Sequence, residues 1–371
     1  MKFSVSSFEL LKHLQVAAGA IATSPVLPIL DDFLFTVQDK NLTISATDLE
    51  TSITRQIEVM SDGNGMVAVP AKILLDTLKA LPDQPVTIAV DDETYGISIT
   101  SAYGKYRLAG ENGQDYPRIP ESDKVDMVNM PAETLANAIN KTLFATSNDE
   151  LRPAMTGVFV TLDFSKLTFV STDAHKLVRY AFNNISSEVS ASFIIPKKAL
   201  NLLKNALPQE GDVTMSFDKA NAFFTFGNTH LVCRLIDARY PDYNAVIPTD
   251  NPNTLTIKRS DFLNSLKRIA IYANKTTNQV ILDISPDSLT ISAQDLDFSN
   301  EAAEQLTCTY EGDPLTIGFN GKFLIEMLSV LESEEVKVEL SSPSRAGIVL
   351  PAEETEGEDI LMLVMPVMLS N

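Results

Sequence analysis

The side chains best suited to bind a ligand in this sequence are lysines that recur at helical spacing. Lys72 and Lys79 are seven residues apart, as are Lys197 and Lys204, so on a helix each pair lies within about 20° of one direction. A row of ammonium groups attracts phosphates without reading base sequence. One exposed lysine on a helix is ordinary, and only the whole set indicates a functional basic surface.

The charge of the chain is sorted between two kinds of segment. The 371 residues carry a formal net charge of −20, which alone argues against a polyanionic partner. Six helix-like segments nevertheless contain thirteen basic and five acidic residues, so they carry +8 and all other residues together carry −28. These segments span 7–21, 70–82, 131–146, 196–208, 258–275 and 320–331. The distribution favours a basic helical surface on an acidic protein.

Residue types that usually carry out catalysis are scarce. The chain has three histidines, His13, His175 and His230, and no glycine-rich phosphate loop, nucleophile elbow or zinc-binding helix motif. Its two cysteines, Cys233 and Cys308, have no second ligand at metal-binding spacing. We therefore predict that the protein is not an enzyme and has no catalytic residues, no metal site and no cofactor.

Composition favours a cytoplasmic protein without a membrane partner. Two unpaired cysteines suit a reducing compartment. No apolar run approaches the roughly 20 residues needed to cross a bilayer. The first nine residues include Glu9 and lack the apolar core of a secretion signal.

Similar segments recur three times along the chain, about 125 residues apart. A Leu-Thr-aromatic or Leu-Thr-Ile run leads each time to an aspartate, and a helix-like segment with a lysine follows. These markers are Asp48, Asp173 and Asp295, and Lys72, Lys198 and Lys322. Two independent markers with one period indicate three similar domains.

Each third alternates helix and strand patterns twice. In the first third, Leu74 and Leu78 form one apolar stripe that ends before Pro82, and residues 86–90 then alternate as a strand does. Stretches rich in proline, glycine and polar residues at 112–126 and 247–253 indicate linkers. The pattern predicts an α+β protein with domains at 1–126, 127–253 and 254–371.

Four motifs carry a resemblance to a known family. They are Leu-Arg-Pro-Ala-Met-Thr-Gly at 151–157, Ser-Thr-Asp-Ala-His-Lys-Leu at 171–177, Arg-Tyr-Pro-Asp-Tyr at 239–243 and Val-Met-Pro-Val at 364–367. Through them, and from residue 1 nearly to the end, the chain resembles the bacterial sliding clamp, the beta subunit of the replicative DNA polymerase III. The resemblance implies three tandem sliding-clamp (DNA clamp) domains, with antiparallel sheets outside, helices inside and two chains joined head to tail in a homodimeric ring.

The resemblance also implies a function and partners. It implies a processivity factor that encircles double-stranded DNA without sequence preference and tethers the replicative DNA polymerase. The clamp loader and other proteins with a clamp-binding motif would be further partners. The helix residues that would face the DNA are Lys12, Lys72, Lys79, Lys141, Lys197, Lys198, Lys204, Lys267, Arg268 and Lys322.

Partner peptides would share one apolar pocket according to the same resemblance. Its walls would be Met155, Thr172, Ala174, His175, Lys176, Leu177, Pro241, Ala245, Val246, Leu363, Met365, Pro366 and Val367. The dimer interface would include Tyr106, Ile271 and Tyr272. The sequence departs from the family at Ala174 and Lys176, where glycine and arginine are frequent, so the peptide preference is open.

One alternative of another class stays open at this point. The chain could be a monomeric scaffold of three tandem domains that binds peptides without encircling DNA. The mass in solution separates this alternative from a ring of two chains.

Overall fold

The structure is a computed structural model that describes residues 1–22, 24, 26–121, 126–185 and 187–369. The chain divides into two compact units. Unit 1 consists of Met1–Ala136 and Lys198–Leu235, and unit 2 consists of Asn137–Lys197 and Ile236–Asn371. The predicted boundaries of three domains stay a prediction.

Six α-helices were expected from the six basic segments, and the described residues contain a helix in each of them. Their bounds are α1 (Ser7–Ala17), α2 (Ala71–Ala80), α3 (Ala132–Thr142), α4 (Lys197–Ala206), α5 (Arg259–Ile269) and α6 (Gly321–Val330). None of the helices in the described part of the chain combines the length and apolar character that a membrane span requires.

Strands make up most of the remaining described residues. The first eleven are β1 (Lys2–Ser6), β2 (Asp32–Gln38), β3 (Asn41–Thr47), β4 (Thr51–Glu58), β5 (Met60–Ser61), β6 (Gly65–Pro70), β7 (Pro85–Val90), β8 (Gly96–Thr100), β9 (Lys105–Ala109), β10 (Glu111–Asn112) and β11 (Asp126–Pro131). The next seven are β12 (Gly157–Asp163), β13 (Lys166–Thr172), β14 (Lys176–Phe182), β15 (Ala191–Pro196), β16 (Asp212–Phe217), β17 (Asn221–Phe226) and β18 (Thr229–Arg234). The last nine are β19 (Asn253–Lys258), β20 (Gln279–Ser285), β21 (Ser288–Asp295), β22 (Asn300–Thr307), β23 (Thr309–Glu311), β24 (Leu315–Asn320), β25 (Glu335–Leu340), β26 (Gly347–Pro351) and β27 (Glu358–Val364).

Unit 1 contains two antiparallel sheets. The five-stranded sheet has the order β5-β1-β7-β8-β9, and the nine-stranded sheet has the order β10-β6-β2-β3-β4-β18-β17-β16-β11. Strand β18 pairs antiparallel with β4, with Leu231 opposite Ile53. The nine-stranded sheet therefore joins strands that are far apart in sequence.

Unit 2 repeats this plan. Its nine-stranded sheet has the order β15-β12-β13-β14-β27-β26-β25-β19-β23, and its four-stranded sheet has the order β22-β21-β20-β24. Here β27 pairs antiparallel with β14, with Leu363 opposite Leu177. Strand β4 lies between β3 and β18 as β14 lies between β13 and β27, so the two strands correspond, which agrees with the repeat in the sequence.

Helices α1 and α2 form where one face of the segment carries an apolar stripe, and α1 also has a capping residue. Helix α1 begins after Ser6, whose hydroxyl accepts a hydrogen bond from the Glu9 amide at the N-terminus of the helix. Leu10 and Leu14, four residues apart on one face, are fully buried. Helix α2 likewise buries Leu74 and Leu78 and ends before Pro82, as the sequence predicts. The exposed Lys12 and Lys72 lie on these two helices.

Candidate partner-binding surfaces

A tight turn between β13 and β14 positions one edge of the predicted pocket. The Asp173 carboxylate accepts hydrogen bonds from the amides of His175 and Lys176, both at 2.9 Å. The Thr172 hydroxyl donates to the carbonyl of Lys176 at 2.8 Å and accepts from the amide of Ala174. Ala174 has a φ of 77°, which glycine adopts with less strain. This conformation is a physical reason for glycine to be frequent at this position.

The same turn occurs in unit 1 between β3 and β4. The Asp48 carboxylate accepts from the amides of Glu50 and Thr51, and the Thr47 hydroxyl accepts from the Leu49 amide. Leu49 also has a positive φ, of 79°. Asp295 likewise accepts from the Asp297 amide at 3.1 Å, so all three repeated aspartates bind the amide two residues further along the chain, as turn-forming residues do.

Lys176 lies on the other side of β14 from the apolar residue Leu177. Its ammonium group donates to a Glu326 carboxylate oxygen at 2.6 Å and is 3.6 Å from the Asp173 carboxylate. It also lies 4.4 Å from the centre of the Phe323 ring. Because Lys176 is only 5% exposed, these contacts compensate for the loss of hydration. Lys176 thus links the turn to α6, and its charge does not face the apolar surface.

The segment after β27 extends the nine-stranded sheet of unit 2 toward the edge of the four-stranded sheet. The Met365 amide donates to the His175 carbonyl, and the Val367 amide donates to the Gly318 carbonyl, both at 2.8 Å. Pro366 forms an isolated bridge with Phe319 on β24. The segment therefore has a fixed position beside the turn that carries His175.

An apolar cluster forms the floor beside these elements. Leu177, Leu363 and Tyr240 are buried in it, and Ala154 and Tyr243 pack against it. The ring of Tyr240 stacks on Phe159 with centroids 4.6 Å apart. The Tyr240 hydroxyl donates to the Val170 carbonyl. Because the ring is buried, desolvation raises the pKa of the Tyr240 phenol.

The structure brings the predicted pocket residues together on unit 2, in four groups. Thr172 and Lys176 are buried in the turn, whereas Ala174 and His175 are exposed there. Pro241, Ala245 and Val246 are exposed on the segment that contains Tyr240 and Tyr243. Leu363 is buried, Met365 is 41% exposed, and Pro366, Val367 and Met155 are half-buried. Exposed methionine beside buried aliphatic residues suits a surface that accommodates different peptides.

The predicted DNA-facing residues differ in how their charges are paired. Lys12, Lys72, Lys204, Lys267 and Lys322 are exposed and form no ion pair with any residue that the structure describes. Lys198 pairs with Asp48, and Lys79 lies 4.0 Å from Asp76. Arg268 binds Glu304 through two nitrogens at 2.7 and 2.6 Å. Lys197 donates to Asn148 at 2.9 Å.

Lys141 differs most from an open basic surface. Its side chain is 12% exposed, and its ammonium group lies 3.2 Å from the Tyr180 hydroxyl and 3.5 Å from the Glu358 carboxylate. Tyr180 in turn donates to Glu358. Burial and this carboxylate raise the pKa of the Tyr180 phenol. The charge of Lys141 is therefore already compensated within unit 2.

The predicted dimer residues lie at two free sheet edges. Tyr106 is half-buried on β9, which has a neighbouring strand on one side only in the described part of unit 1. Ile271 and Tyr272 are 65% and 43% exposed at the end of α5. That helix packs near β22, the edge strand of the four-stranded sheet. Exposed apolar residues at a sheet edge are typical of an interface.

Sequence reasoning missed other exposed apolar residues, two of them in a segment beside the end of α5. Leu296 and Phe298 are 78% and 72% exposed, and Ile73 on α2 is 51% exposed. The Asn274 amide lies 3.4 Å from both Asp295 and Asp297, so it connects their segment to the end of α5. The alternating Asp-Leu-Asp-Phe sequence at 295–298 was the available signal, because charged residues flank side chains that no strand or helix pattern buries.

The residues that the structure describes include no group of three or more histidine, cysteine or acidic side chains that could hold a metal ion. Burial raises the pKa of the Cys233 thiol to about 12, which disfavours a reactive thiolate.

Comparison with protein families decides the assignment. Three models of the DNA polymerase III beta subunit match in chain order: the N-terminal domain at residues 1–120, the central domain at 129–242 and the C-terminal domain at 244–368. The chain belongs to the DNA polymerase III beta subunit family. The α+β clamp fold predicted from the sequence is confirmed.

Individual relatives are similar to this chain over nearly their full length. The chain is 28% identical to the beta sliding clamp of Vibrio cholerae over 371 residues, covering 100% of both proteins. It is 27% identical to that of Bacillus subtilis over 380 residues, covering 99% of both. Among solved structures, the Bacillus subtilis sliding clamp superposes with a TM-score of 0.94 at 26% identity, covering 100% of both chains. A Pseudomonas aeruginosa sliding clamp bound to griselimycin gives 0.93 at 27% identity, again covering 100% of both.

Proposed function

We propose that this protein is the processivity factor of the replicative DNA polymerase. Two chains close head to tail into a ring around duplex DNA, and the ring tethers the polymerase to its template in the cytoplasm. The observation that carries this proposal is the consecutive match of all three beta-subunit domain models over nearly the whole chain. A single matched domain would not support a ring.

The exposed lysines support a DNA-facing role for the helices. Lys12 and Lys72 in unit 1, and Lys267 and Lys322 in unit 2, are exposed on helices. Unpaired ammonium groups attract phosphates through water without base-specific bonds, as movement along DNA requires. The remaining acidic surface would repel DNA from unproductive contacts. Lys141 and Arg268 would contribute less, because carboxylates already pair with them.

The apolar surface of unit 2 is proposed to bind a short peptide of each partner. Leu177 and Leu363 provide a floor, and Met365 and Val246 provide exposed walls. The replicative polymerase, a clamp loader and other proteins with a clamp-binding motif would compete for this surface. The protein itself would act without catalysis, and opening of the ring would be the task of the loader.

The two free sheet edges support the head-to-tail contact. Edge strand β9 carries the exposed Lys105 and Arg107, whereas edge strand β22 carries the exposed Glu301. Pairing β9 of one chain with β22 of another would remove both unpaired edges and place opposite charges beside each other. The monomeric scaffold remains the alternative, and it predicts the mass of one chain at micromolar concentration.

Primer extension on a long template tests the proposed function through Met365. We expect Met365→Asp to lower polymerase stimulation at limiting protein concentration by at least about tenfold, because a carboxylate would be desolvated against the apolar floor. The control is Met60→Asp, which changes an exposed methionine of unit 1. Undiminished stimulation by Met365→Asp, with the mass of two chains retained, would exclude this surface as the polymerase site.

A further inference from the structure

A buried charge lies directly behind the proposed docking surface of unit 2. Leu177 belongs to the apolar floor of that surface, whereas Val178 belongs to the core that includes Leu324 and Met327 of α6. Because successive side chains of a strand point to opposite faces of the sheet, Lys176 lies on the same side of β14 as Val178. The charge of Lys176 therefore faces α6 and not a peptide on the floor.

Four side chains enclose the ammonium group of Lys176. The rings of Phe323 and Phe144 have their centres 4.4 and 5.6 Å from it. A carboxylate oxygen of Glu326 lies at 2.6 Å and one of Asp173 at 3.6 Å. Of the two carboxylates, Glu326 is the closer one, and it reaches the turn from another element, α6.

Helix α6 holds the turn through a second contact. Phe323 and Glu326 are three residues apart and so lie on one face of the helix. The ring of His175 stacks on the ring of Phe323, with centroids 6.4 Å apart and planes at 23°. Two adjacent residues of the turn, His175 and Lys176, thus meet one face of α6.

The turn in turn fixes an exposed wall of the docking surface. The His175 carbonyl accepts the hydrogen bond of the Met365 amide at 2.8 Å. Lys176 lies opposite Val364 in the pairing of β14 with β27. A shift of the turn away from α6 would therefore displace Met365 as well.

The matching turn of unit 1 has no residue with the role of Lys176. Asp48 accepts a hydrogen bond from the amide of Thr51, as Asp173 does from the amide of Lys176. Thr51 therefore occupies the place of Lys176 and contributes no charge.

The helix partner differs between the units in the same way. Leu202 follows Lys198 by four residues, as Glu326 follows Lys322. Unit 1 thus has an apolar residue where α6 has a carboxylate. Apolar residues in place of a buried ion pair often keep or raise stability. The pair of Lys176 with Glu326 therefore points to a role beyond folding in the unit that carries the docking surface.

We propose that Glu326 is a positioning residue for partner docking. Through Lys176 it holds the turn, and with the turn Met365, in the conformation that receives a partner peptide. Glu326 does not contact the peptide itself. Without Glu326, the buried ammonium group lacks its nearest carboxylate, and the turn relaxes toward water to hydrate it. The inference rests on the proposed function, because it concerns the same docking surface.

Titration of the full chain in primer extension with the replicative polymerase tests the proposal. We expect Glu326→Ala to raise the concentration for half-maximal stimulation by at least about fivefold. Maximal stimulation should stay the same, because the floor and walls keep their residues. The Glu326 side chain is 43% exposed, so its removal leaves no cavity in the core. The control is Glu334→Ala, at an exposed glutamate of unit 2, which should change this concentration by less than about twofold.

A second variant separates positioning from stability of the fold. Glu326→Ala should lower the urea midpoint of unfolding, because it leaves a buried charge without its nearest partner. Adding Lys176→Met removes that charge and should restore the midpoint. The half-maximal concentration should stay raised, because the turn is still not tied to α6. If the double variant restores both quantities, the role of Glu326 is merely structural and the proposal is overturned.

Hydrogen exchange of the free protein reads out the turn without DNA or polymerase. Amides in 172–177 and 365–367 should exchange at least about fivefold faster in Glu326→Ala, while those of β3 in unit 1 should not change. Unchanged exchange in the turn, or an unchanged half-maximal concentration, would overturn the proposal. If Met365→Asp impairs stimulation and Glu326→Ala does not, this inference alone fails. If neither impairs it, the docking surface itself is wrong.

Discussion

At the residue scale, the repeated aspartates illustrate what a sequence can and cannot reveal. Their spacing predicts the repeat, but not their role. In the structure Asp48 and Asp173 accept backbone hydrogen bonds in matching turns. Leu49 and Ala174 have a positive φ in those turns. The sequence does not reveal this, because leucine and alanine usually avoid that conformation.

Ala174 is predicted to reduce stability relative to glycine. Because its φ is 77°, Ala174→Gly should relieve strain and raise the free energy of unfolding by about 0.5–1 kcal/mol. Urea denaturation monitored by circular dichroism measures this change. The control is Ala220→Gly, at an exposed alanine without positive φ, which should give no gain. Equal effects of both substitutions would contradict the strain argument.

Two ionisable groups in unit 1, the half-buried His13 and the buried Asp32, give the stability of the chain opposite dependences on pH. Burial, followed by the charge of Arg55, lowers the pKa of His13 from 6.5 to about 4. Its folding contribution is therefore present above pH 6.5 and is lost as the pH falls through 4. Burial, followed by Glu111, raises the pKa of Asp32 from 3.8 to about 6. Its contribution is present below pH 3.8 and is lost as the pH rises through 6.

Removing the histidine should reduce sensitivity to acid. We expect His13→Gln to recover up to about 3 kcal/mol of the stability that the parent chain loses between pH 7 and pH 4. Denaturant unfolding at both pH values measures the difference. Asp32→Asn is the control of opposite sign, because it should stabilise the chain at pH 8 and have little effect at pH 4. An unchanged pH profile for His13→Gln would contradict the burial argument.

At the element scale, local sequence patterns predict helices better than they predict the pairing of strands that are far apart in the sequence. The apolar stripes of α1 and α2 and their ends follow from residues within one segment. The pairing of β4 with β18, or of β14 with β27, joins strands more than 170 residues apart. The position of residues 365–369 beside β24 depends on such pairings. For the same reason, the resemblance was needed to assemble the pocket from four separate motifs.

The edge strands β9 and β22 allow a prediction about the association of two chains. Lys105→Glu with Arg107→Glu should place like charges against Glu301, and should weaken association of two chains by at least about tenfold. Adding Glu301→Lys should partly restore it. Analytical ultracentrifugation measures the masses, with Lys40→Glu and Lys219→Glu, both at exposed turns, as the charge control. A mass of two chains for the first variant would exclude this edge contact.

At the scale of the whole molecule, the separation of basic helices from acidic surroundings supports a protein that encircles DNA. The chain carries −20 overall, yet its helices present lysines that the described carboxylates leave unpaired. The distribution of charge along the sequence predicted this separation, because acidic and basic residues fall on different elements. It could not predict which lysines are compensated, since the pairs Lys198 with Asp48 and Lys141 with Glu358 join residues at least 150 positions apart.

The most direct test of the ring is retention on circular DNA. The protein is loaded onto a nicked plasmid by a clamp loader and ATP, and the complex is separated by gel filtration. The account predicts that the protein co-elutes with the circle, leaves after a restriction enzyme linearises it, and stays when both ends are blocked by bound protein. Equal retention on circular DNA and on linear DNA with free ends would contradict encirclement.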